Sequence, residues 1–233
     1  KYSVFDLHTN ECLLRENLRV ESSACNHAII FDQLLNHLKK SLPTLKVKAV
    51  GHRVVHGGLH FSHATQIDDS VRQAIGDLVA LAPQHQPASI KAIDLISEHW
   101  PQVPQFAVFD TAFFRSLPPK SFLYPVPYAW YEKDGIQRFG FHGISHAYCV
   151  QRAARALHKQ VQEVNLIVCH LGGGCSASAI THGQPIATTM GYTPMDGLMM
   201  VTRSGAVDPG ILIQRLRQTE CSLDDLEYDL TRC

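Results

Sequence analysis

The order of hydrophobic and polar positions predicts strands and helices that alternate along the chain. Period-two alternation predicts a strand over residues 2–7, which residues 11–20 can join after a turn at Thr9 and Asn10. Helical spacing predicts amphipathic helices over 28–40, 70–81, 89–100 and 146–158. Short apolar runs predict strands over 47–55, 106–109, 164–170, 176–180 and 185–189. This alternation is typical of a layered α/β fold.

Proline interrupts the alternation once. Residues 118–127 contain four prolines and cannot form the interior of a helix. We therefore expect a domain boundary between Thr111 and Pro127.

Composition excludes several classes of protein. The formal net charge is +0, so no basic field is expected to attract nucleic acid or a membrane surface. No apolar run approaches the roughly 18 to 20 residues of a membrane-spanning helix, and the first residues do not resemble a signal peptide. The seven cysteines include no CxxC pair, which argues against a disulfide scaffold. We expect a soluble protein of the reducing cytoplasm.

Residues that carry chemistry lie in five short segments punctuated by glycine. These segments read GHRVVHGG (51–58), VFDTAF (108–113), RFGFHGISH (138–146), CHLGGGCS (169–176) and TPMDGLMMVTRSG (193–205). Arginine supplies planar, permanently charged forks for carboxylate and phosphate oxygens. Glycine lets backbone N–H groups approach a phosphate closely. The set is suited to moving a phosphoryl group between anionic partners.

Each segment also has a structural interpretation. The glycines at 172–174 fit a phosphate cradle or a tight hairpin, and they match neither the Walker A pattern nor the dinucleotide fingerprint. Arg53 has two interpretations: it binds an anionic substrate, or it forms a structural ion pair. His142 also has two interpretations: it donates a hydrogen bond to the charge that develops on a phosphoryl group, or it is a structural histidine. A metal site among the histidines of 52–63 is disfavoured because no Cys, Asp or Glu completes it.

Together and in this order, the segments resemble the acetate and propionate kinase family of the sugar-kinase/Hsp70/actin superfamily. The resemblance is carried by GHRVVHGG, LAPQHQPA, FDTAF, RFGFHGISH, HLGGG and TMGYTPMDGLMMVTRSG. It implies a ribonuclease-H-like α/β fold of two domains. Residues 1–111 would belong to an N-terminal carboxylate-binding domain, and 112–233 to the first part of a nucleotide-binding domain.

The resemblance also implies an activity, which is reversible transfer of a phosphoryl group from ATP to acetate with Mg²⁺. Its partners would be a short-chain carboxylate, ATP or ADP, and a second copy of the chain in a homodimer. Catalytic roles are implied for Asp110, His142 and Arg203. Substrate contacts are implied for Arg53, Val55, His85 and Pro194, and nucleotide phosphate contacts for His170, Leu171, Gly172, Gly173 and Gly174. His85 and His170 would act as supporting hydrogen-bond donors.

Three positions depart from the family pattern. Gly173 stands where the family usually has Asn, Val201 where it usually has Gly, and Gln84 where an apolar residue is usual. Gln84 leaves propionate open as an alternative to acetate.

The resemblance further implies that this sequence is a fragment. The family's N-x-G-S-S-S segment and its later G-x-x-E-N-like motif, which helps to hold magnesium, are not among these residues. No metal ligand is therefore predicted within the chain. A non-catalytic remnant that binds an anion or a nucleotide remains an alternative.

Overall fold

A computed structural model of the chain describes residues 2–6, 9, 11–17, 27–44, 46–218 and 221–231. They form two compact units. One unit is drawn from the chain up to residue 48 and from 91–103, and the other from 49–90 and from residue 104 onward. Both contain helices and strands, so the predicted α/β class is confirmed. The division into domains at 111 and 112 remains a prediction.

The elements follow the predicted alternation. The strands are β1 (Tyr2–Phe5), β2 (Cys12–Glu16), β3 (Val50–Val54), β4 (Thr65–Gln66), β5 (Gln105–Phe109), β6 (Leu166–Leu171), β7 (Cys175–Thr181) and β8 (Gln184–Thr188). The α-helices are α1 (His27–Ser41), α2 (Asp69–Asp77), α3 (Gln86–His99), α4 (Pro119–Phe122), α5 (Tyr128–Asp134), α6 (Gly143–Ala156), α7 (Pro209–Arg217) and α8 (Leu223–Thr231). Short 3₁₀ turns lie at Val79–Leu81, Ala112–Ser116 and Val161–Glu163.

The first unit contains the antiparallel β1–β2 hairpin, α1, and the part of α3 from residue 91 onward. Polar contacts at the end of α3 join the two helices. His99 Nε2 lies 2.6 Å from Asp32 Oδ1. Lys39 Nζ donates to the His99 carbonyl oxygen at 3.0 Å and lies 5.1 Å above the centre of the Trp100 ring. The cation-over-ring geometry favours this packing.

The second unit contains two three-stranded sheets. In one, β5 is central, with β3 parallel on one side and β4 antiparallel on the other. The other is an antiparallel meander in the order β6-β7-β8. Helix α6 packs against β6 and buries Val150 and Ala154 in a cluster with Val164, Val168 and Ile180. All five segments that carry the chemistry lie in this second unit.

Element boundaries differ from the sequence prediction where backbone contacts decide them. The helix predicted from residue 146 begins at Gly143, because His142 takes a left-handed conformation (φ 60°) and forms the N-cap. Gly143 N donates to the Asp110 carbonyl oxygen at 2.9 Å, and a Cβ at 143 would collide with that oxygen. The helix predicted from Ser89 likewise begins earlier, at Gln86.

Five of the strands and α-helices were not predicted: β4, α4, α5, α7 and α8. The proline segment forms only the single turn α4, where Pro119 occupies a first-turn position that proline tolerates. The predicted turn residue Asn10 and the strand end at 18–20 lie outside the described residues.

Candidate active site

A cavity of about 190 Å³ in the second unit gathers side chains from all five glycine-punctuated segments. Its walls are Arg53, Val55, His85, Asp110, Phe141, His142, His170, Gly174, Pro194 and Arg203. The structure therefore brings together every predicted site residue except Leu171, Gly172 and Gly173. Leu171 is 78% exposed, because it follows His170 on a strand and alternation turns it to the other face.

Arg53 and Asp110 form an ion pair in the wall of the cavity. Parallel pairing of β3 with β5 places them where both strands end. Arg53 Nη2 donates to Asp110 Oδ2 at 2.6 Å, and Nε donates to the same oxygen at 3.1 Å. The Asp110 side chain is 2% exposed and that of Arg53 is 60% exposed. These hydrogen bonds raise the pKa of Arg53. The guanidinium is thus oriented by the buried carboxylate and still faces the cavity.

His142 presents a neutral ring to the cavity. Burial, together with the nearby His170, Arg53 and Arg203, lowers the pKa of His142 to about 3. The His170 ring stacks on it, with 4.2 Å between ring centres. At neutral pH the His142 ring therefore carries a single N–H.

A chain of hydrogen bonds leads from His142 into the sheet. Ser176 Oγ lies 2.8 Å from His142 Nδ1 and 2.8 Å from His146 Nε2. His146 Nδ1 lies 2.7 Å from Ser178 Oγ. All four residues are buried, and burial lowers the pKa of His146 to about 4. Sequence reasoning did not name Ser176, His146 or Ser178, although the spacing of 142 and 146 places both rings on one helix face.

Arg203 forms the opposite cationic wall. Its Nη1 donates to the Pro194 carbonyl oxygen at 2.7 Å, and Met200 N donates to the Arg203 carbonyl oxygen at 3.0 Å. Both bonds stay within the segment 193–205. Burial lowers the pKa of Arg203, although a guanidinium stays protonated in proteins.

Gly174 sits between the two walls. A Cβ built at position 174 would lie 2.6 Å from Arg203 Nη2 and 2.9 Å from His142 Nε2. At Gly173, by contrast, a Cβ would meet nothing within 4 Å. The glycine that the cavity requires is therefore 174, because a side chain there would fill the space between an arginine and a histidine.

The supporting histidines occupy the sides of the cavity. His170 Nδ1 lies 2.9 Å from Ser145 Oγ, which orients the ring that stacks on His142. Burial lowers the pKa of His85, and the nearby Arg203 and Arg53 lower it further. The local field is therefore positive, as expected of a site for anions.

A short apolar wall completes the cavity. Val55, Phe141 and Pro194 contribute it. Phe141 was not predicted, although it lies beside His142 in RFGFHGISH. Phe141 and Val55 also belong to a buried cluster with Ala82, Phe139 and Met190. The wall is thus an extension of the core and is fixed by it.

A second cavity of about 170 Å³ shares His85, Pro194 and Arg203 with the first. Its remaining walls are Ala80, Leu81, Ala82, Pro83, Gln84, Thr193, Met195, Glu227 and Thr231. Gln84 lines this second cavity and is absent from the walls of the first. The departure at position 84 therefore falls beside the cationic cavity.

The side chains of the described residues bring few metal-ligating groups together. Within the described residues, no group of three or more His, Cys, Asp or Glu could hold a metal ion. Asp110, the acid of the cavity, is engaged by Arg53. His52 is instead hydrogen-bonded to Gln105 at 2.7 Å, and His56 Nδ1 accepts from Gly58 N at 2.9 Å. The described donors do not by themselves make a magnesium site.

No helix among the described residues is long and apolar enough to cross a membrane.

Comparison with known proteins places this geometry in a family context. The acetokinase family model matches residues 7–232. The chain is 46% identical to an acetate kinase of Microcystis aeruginosa over 232 residues, which is 99% of this chain and 58% of that protein. It is 52% identical to an acetate kinase of Synechococcus sp. over 187 residues, covering 80% of this chain and 46% of that protein.

Solved structures agree. The chain resembles a crystal structure of a propionate kinase from Francisella tularensis (TM-score 0.88, 34% identity), with 99% of this chain and 64% of that chain covered. It also resembles an acetate kinase of Porphyromonas gingivalis (TM-score 0.80, 34% identity), with 99% and 57% covered. These matches confirm the fold expected from the resemblance. The chain spans little more than half the length of the relatives that it matches over its whole extent.

Proposed function

This chain belongs to the acetokinase family, and from this premise we propose that the whole protein transfers the γ-phosphoryl group of ATP to acetate. The products are acetyl phosphate and ADP, and the reaction is reversible. The cavity carries the proposal, because it sets two guanidinium groups beside a short apolar wall. Arginine forks bind carboxylate and phosphate oxygens, and the wall is suited to a small alkyl group.

Binding and charge neutralisation would provide the catalysis. A short-chain carboxylic acid is already ionised at neutral pH, so its attacking oxygen needs no general base. Arg53 and Arg203 would hold the carboxylate and the phosphoryl group in line. His142, neutral at this pH, would donate Nε2–H to the equatorial oxygens. A loose phosphoryl-transfer transition state is stabilised by such positioning and preorganised donors.

Asp110 would orient Arg53 and would not remove a proton. Its buried carboxylate accepts two hydrogen bonds from that guanidinium on one oxygen. The carboxylate is therefore occupied by the guanidinium that it orients.

Nucleotide contacts are proposed for the turn after β6. His170 and Gly174 line the cavity, and the exposed backbone at 172–173 lies beside them. Family membership also supports Mg²⁺, which supplies charge neutralisation at the phosphates when bound. Since the described residues do not form a site for it, no step is assigned to the metal. A homodimer and a cytoplasmic location remain predictions.

Propionate kinase activity is the second candidate. The observation that favours it is the second cavity, which adjoins the first through His85, Pro194 and Arg203. Its wall over residues 80–83 is apolar. An acyl chain longer by one methylene has space to extend in that direction.

Acyl-phosphate formation tests the proposal. The whole protein would be incubated with Mg-ATP and either acetate or propionate, and the product trapped with hydroxylamine. We expect signal with at least one acid, and its loss in Arg203→Ala. Arg115→Ala is the matched control, because Arg115 is exposed and donates to the Leu59 carbonyl oxygen, outside the cavity. A wild-type protein that makes no acyl phosphate would refute the kinase and support the non-catalytic remnant.

A further inference from the structure

The hydrogen-bond chain Ser178–His146–Ser176–His142, here named the relay, ends at the cavity. Neither His146 nor the two serines lines the cavity. The mechanism proposed above therefore uses only the last member, His142. The other three residues are buried polar groups that need an explanation.

Proton count restricts the relay to two arrangements. A hydroxyl has one proton, so Ser176 Oγ can donate to only one of the two imidazoles. If it accepted from both, its proton would be buried without an acceptor among the described side chains, because Ser176 is 0% exposed. Ser176 therefore donates to one ring and accepts from the other. Both rings are neutral at physiological pH and carry one N–H each. All the protons therefore point along the relay toward the cavity, or all point away from it.

The buried end of the relay selects the direction. Among the described residues, the Ser178 hydroxyl is 2.7 Å from a single side-chain partner, His146 Nδ1. Ser178 is 3% exposed. If His146 donated to Ser178, the serine proton would be left buried without an acceptor, which costs free energy. Ser178 therefore donates to His146 Nδ1, and the proton of His146 resides on Nε2.

The remaining bonds then follow in order. His146 Nε2–H donates to Ser176 Oγ, and the Ser176 hydroxyl donates to His142 Nδ1. The single proton of His142 must reside on Nε2. That nitrogen lies next to Gly174 on the side of Arg203. The relay thus delivers an N–H donor to the place where an anion would meet the arginine.

We propose that Ser176, His146 and Ser178 are positioning residues that hold His142 in the tautomer with Nε2–H directed into the cavity. This inference rests on the proposed function only for its catalytic consequence. In the opposite tautomer, His142 Nε2 would present a lone pair to the phosphoryl oxygens and would repel them. The wrong tautomer of a catalytic histidine is known to be costly in enzymes.

Tautomer and kinetics would be measured on the same variants of the whole protein. Long-range ¹H–¹⁵N spectra distinguish a protonated from an unprotonated ring nitrogen, with His142→Gln as the assignment control. We expect Nε2 protonated and Nδ1 unprotonated in the wild type, in buffer and with inorganic phosphate. Ser178→Ala removes the first donor and should mix the two tautomers of His142. Ser178→Thr keeps the hydroxyl and should preserve the wild-type signals.

Kinetic measurements distinguish a positioning role of these residues from a general effect on folding. In Ser178→Ala and Ser176→Ala, kcat should fall by roughly 10-fold, less than the about 10²–10³-fold cost of deleting a transition-state donor. KM for the carboxylate should change little, and Ser178→Thr should restore kcat. A wild-type His142 protonated on Nδ1 would overturn the relay, as would a Ser178→Ala variant with unchanged tautomer and kcat. If the wild type is inactive, the proposed function fails, while the spectra still decide the relay.

Discussion

A methyl group at position 174 would separate the two donors that the proposed mechanism needs. A Cβ there would lie 2.6 Å from Arg203 Nη2 and 2.9 Å from His142 Nε2. Ordinary contact begins at 3.4 Å, so the guanidinium and the ring must both move. His142 is held at its other nitrogen by Ser176 at 2.8 Å. We therefore expect Arg203, whose long side chain ends at the cavity, to take most of the displacement.

The magnitude follows from this displacement. A misplacement on the order of 1 Å in a catalytic group costs roughly 10²-fold in rate, so kcat of Gly174→Ala should fall by about that factor. Stability should change little. Moving the end of a flexible side chain costs little, and Gly→Ala gains about 0.4–1 kcal/mol through the unfolded state where the backbone permits alanine. The variant should be folded and slow.

Gly173→Ala is the matched control in the same turn. A Cβ at 173 meets nothing within 4 Å, and alanine keeps the backbone N–H that is proposed to contact the nucleotide. The value of kcat should therefore stay within about threefold of the wild type, while unfolding free energy rises by about 0.4–1 kcal/mol. Acyl-phosphate formation and urea unfolding would be measured for both variants, with KM for ATP recorded separately. Equal losses of kcat at 173 and 174, or a fully active Gly174→Ala, would refute the steric argument.

Three further predictions concern charge, acyl preference and pH. Arg203→Ala should lower kcat by roughly 10³-fold or more, as for arginines that stabilise a phosphoryl group in transfer, and a change confined to KM would contradict that role. Gln84→Leu should raise kcat/KM for propionate relative to acetate by about 10-fold, the low end of the discrimination that one methylene gives in an apolar pocket. An unchanged ratio of the two kcat/KM values in the hydroxylamine assay would mean that the acyl chain does not enter the second cavity. Burial lowers the pKa of His142 to about 3, and those of His146 and His56 to about 4, so the unfolded chain binds protons first as pH falls below 6.5. The contribution of these histidines to the unfolding free energy should therefore decrease from pH 6.5 down to about pH 4 and level off near pH 3. Urea titrations that show no decrease between pH 6.5 and 4 would mean that these rings are not buried neutral.

Local pattern was sufficient for most of the elements and for the residues that carry chemistry. Local pattern located β3 and β5 from their apolar runs and α3 and α6 from their helical spacing, each to within a few residues. It missed α7 and α8, which lie on exposed surface: Ile211 and Ile213 are 53% and 52% exposed.

The sequence by itself determined the family, the α/β class and the set of segments, since each is written in neighbouring residues. Only the tertiary structure decided which members of those segments meet. Arg53 and Asp110 are 57 positions apart, and His142 and Ser176 are 34 apart. Such contacts depend on strand pairing and helix packing across the unit, which short-range spacing does not encode. The ion pair, the requirement for glycine at 174 and the buried relay behind His142 are therefore properties of the folded chain.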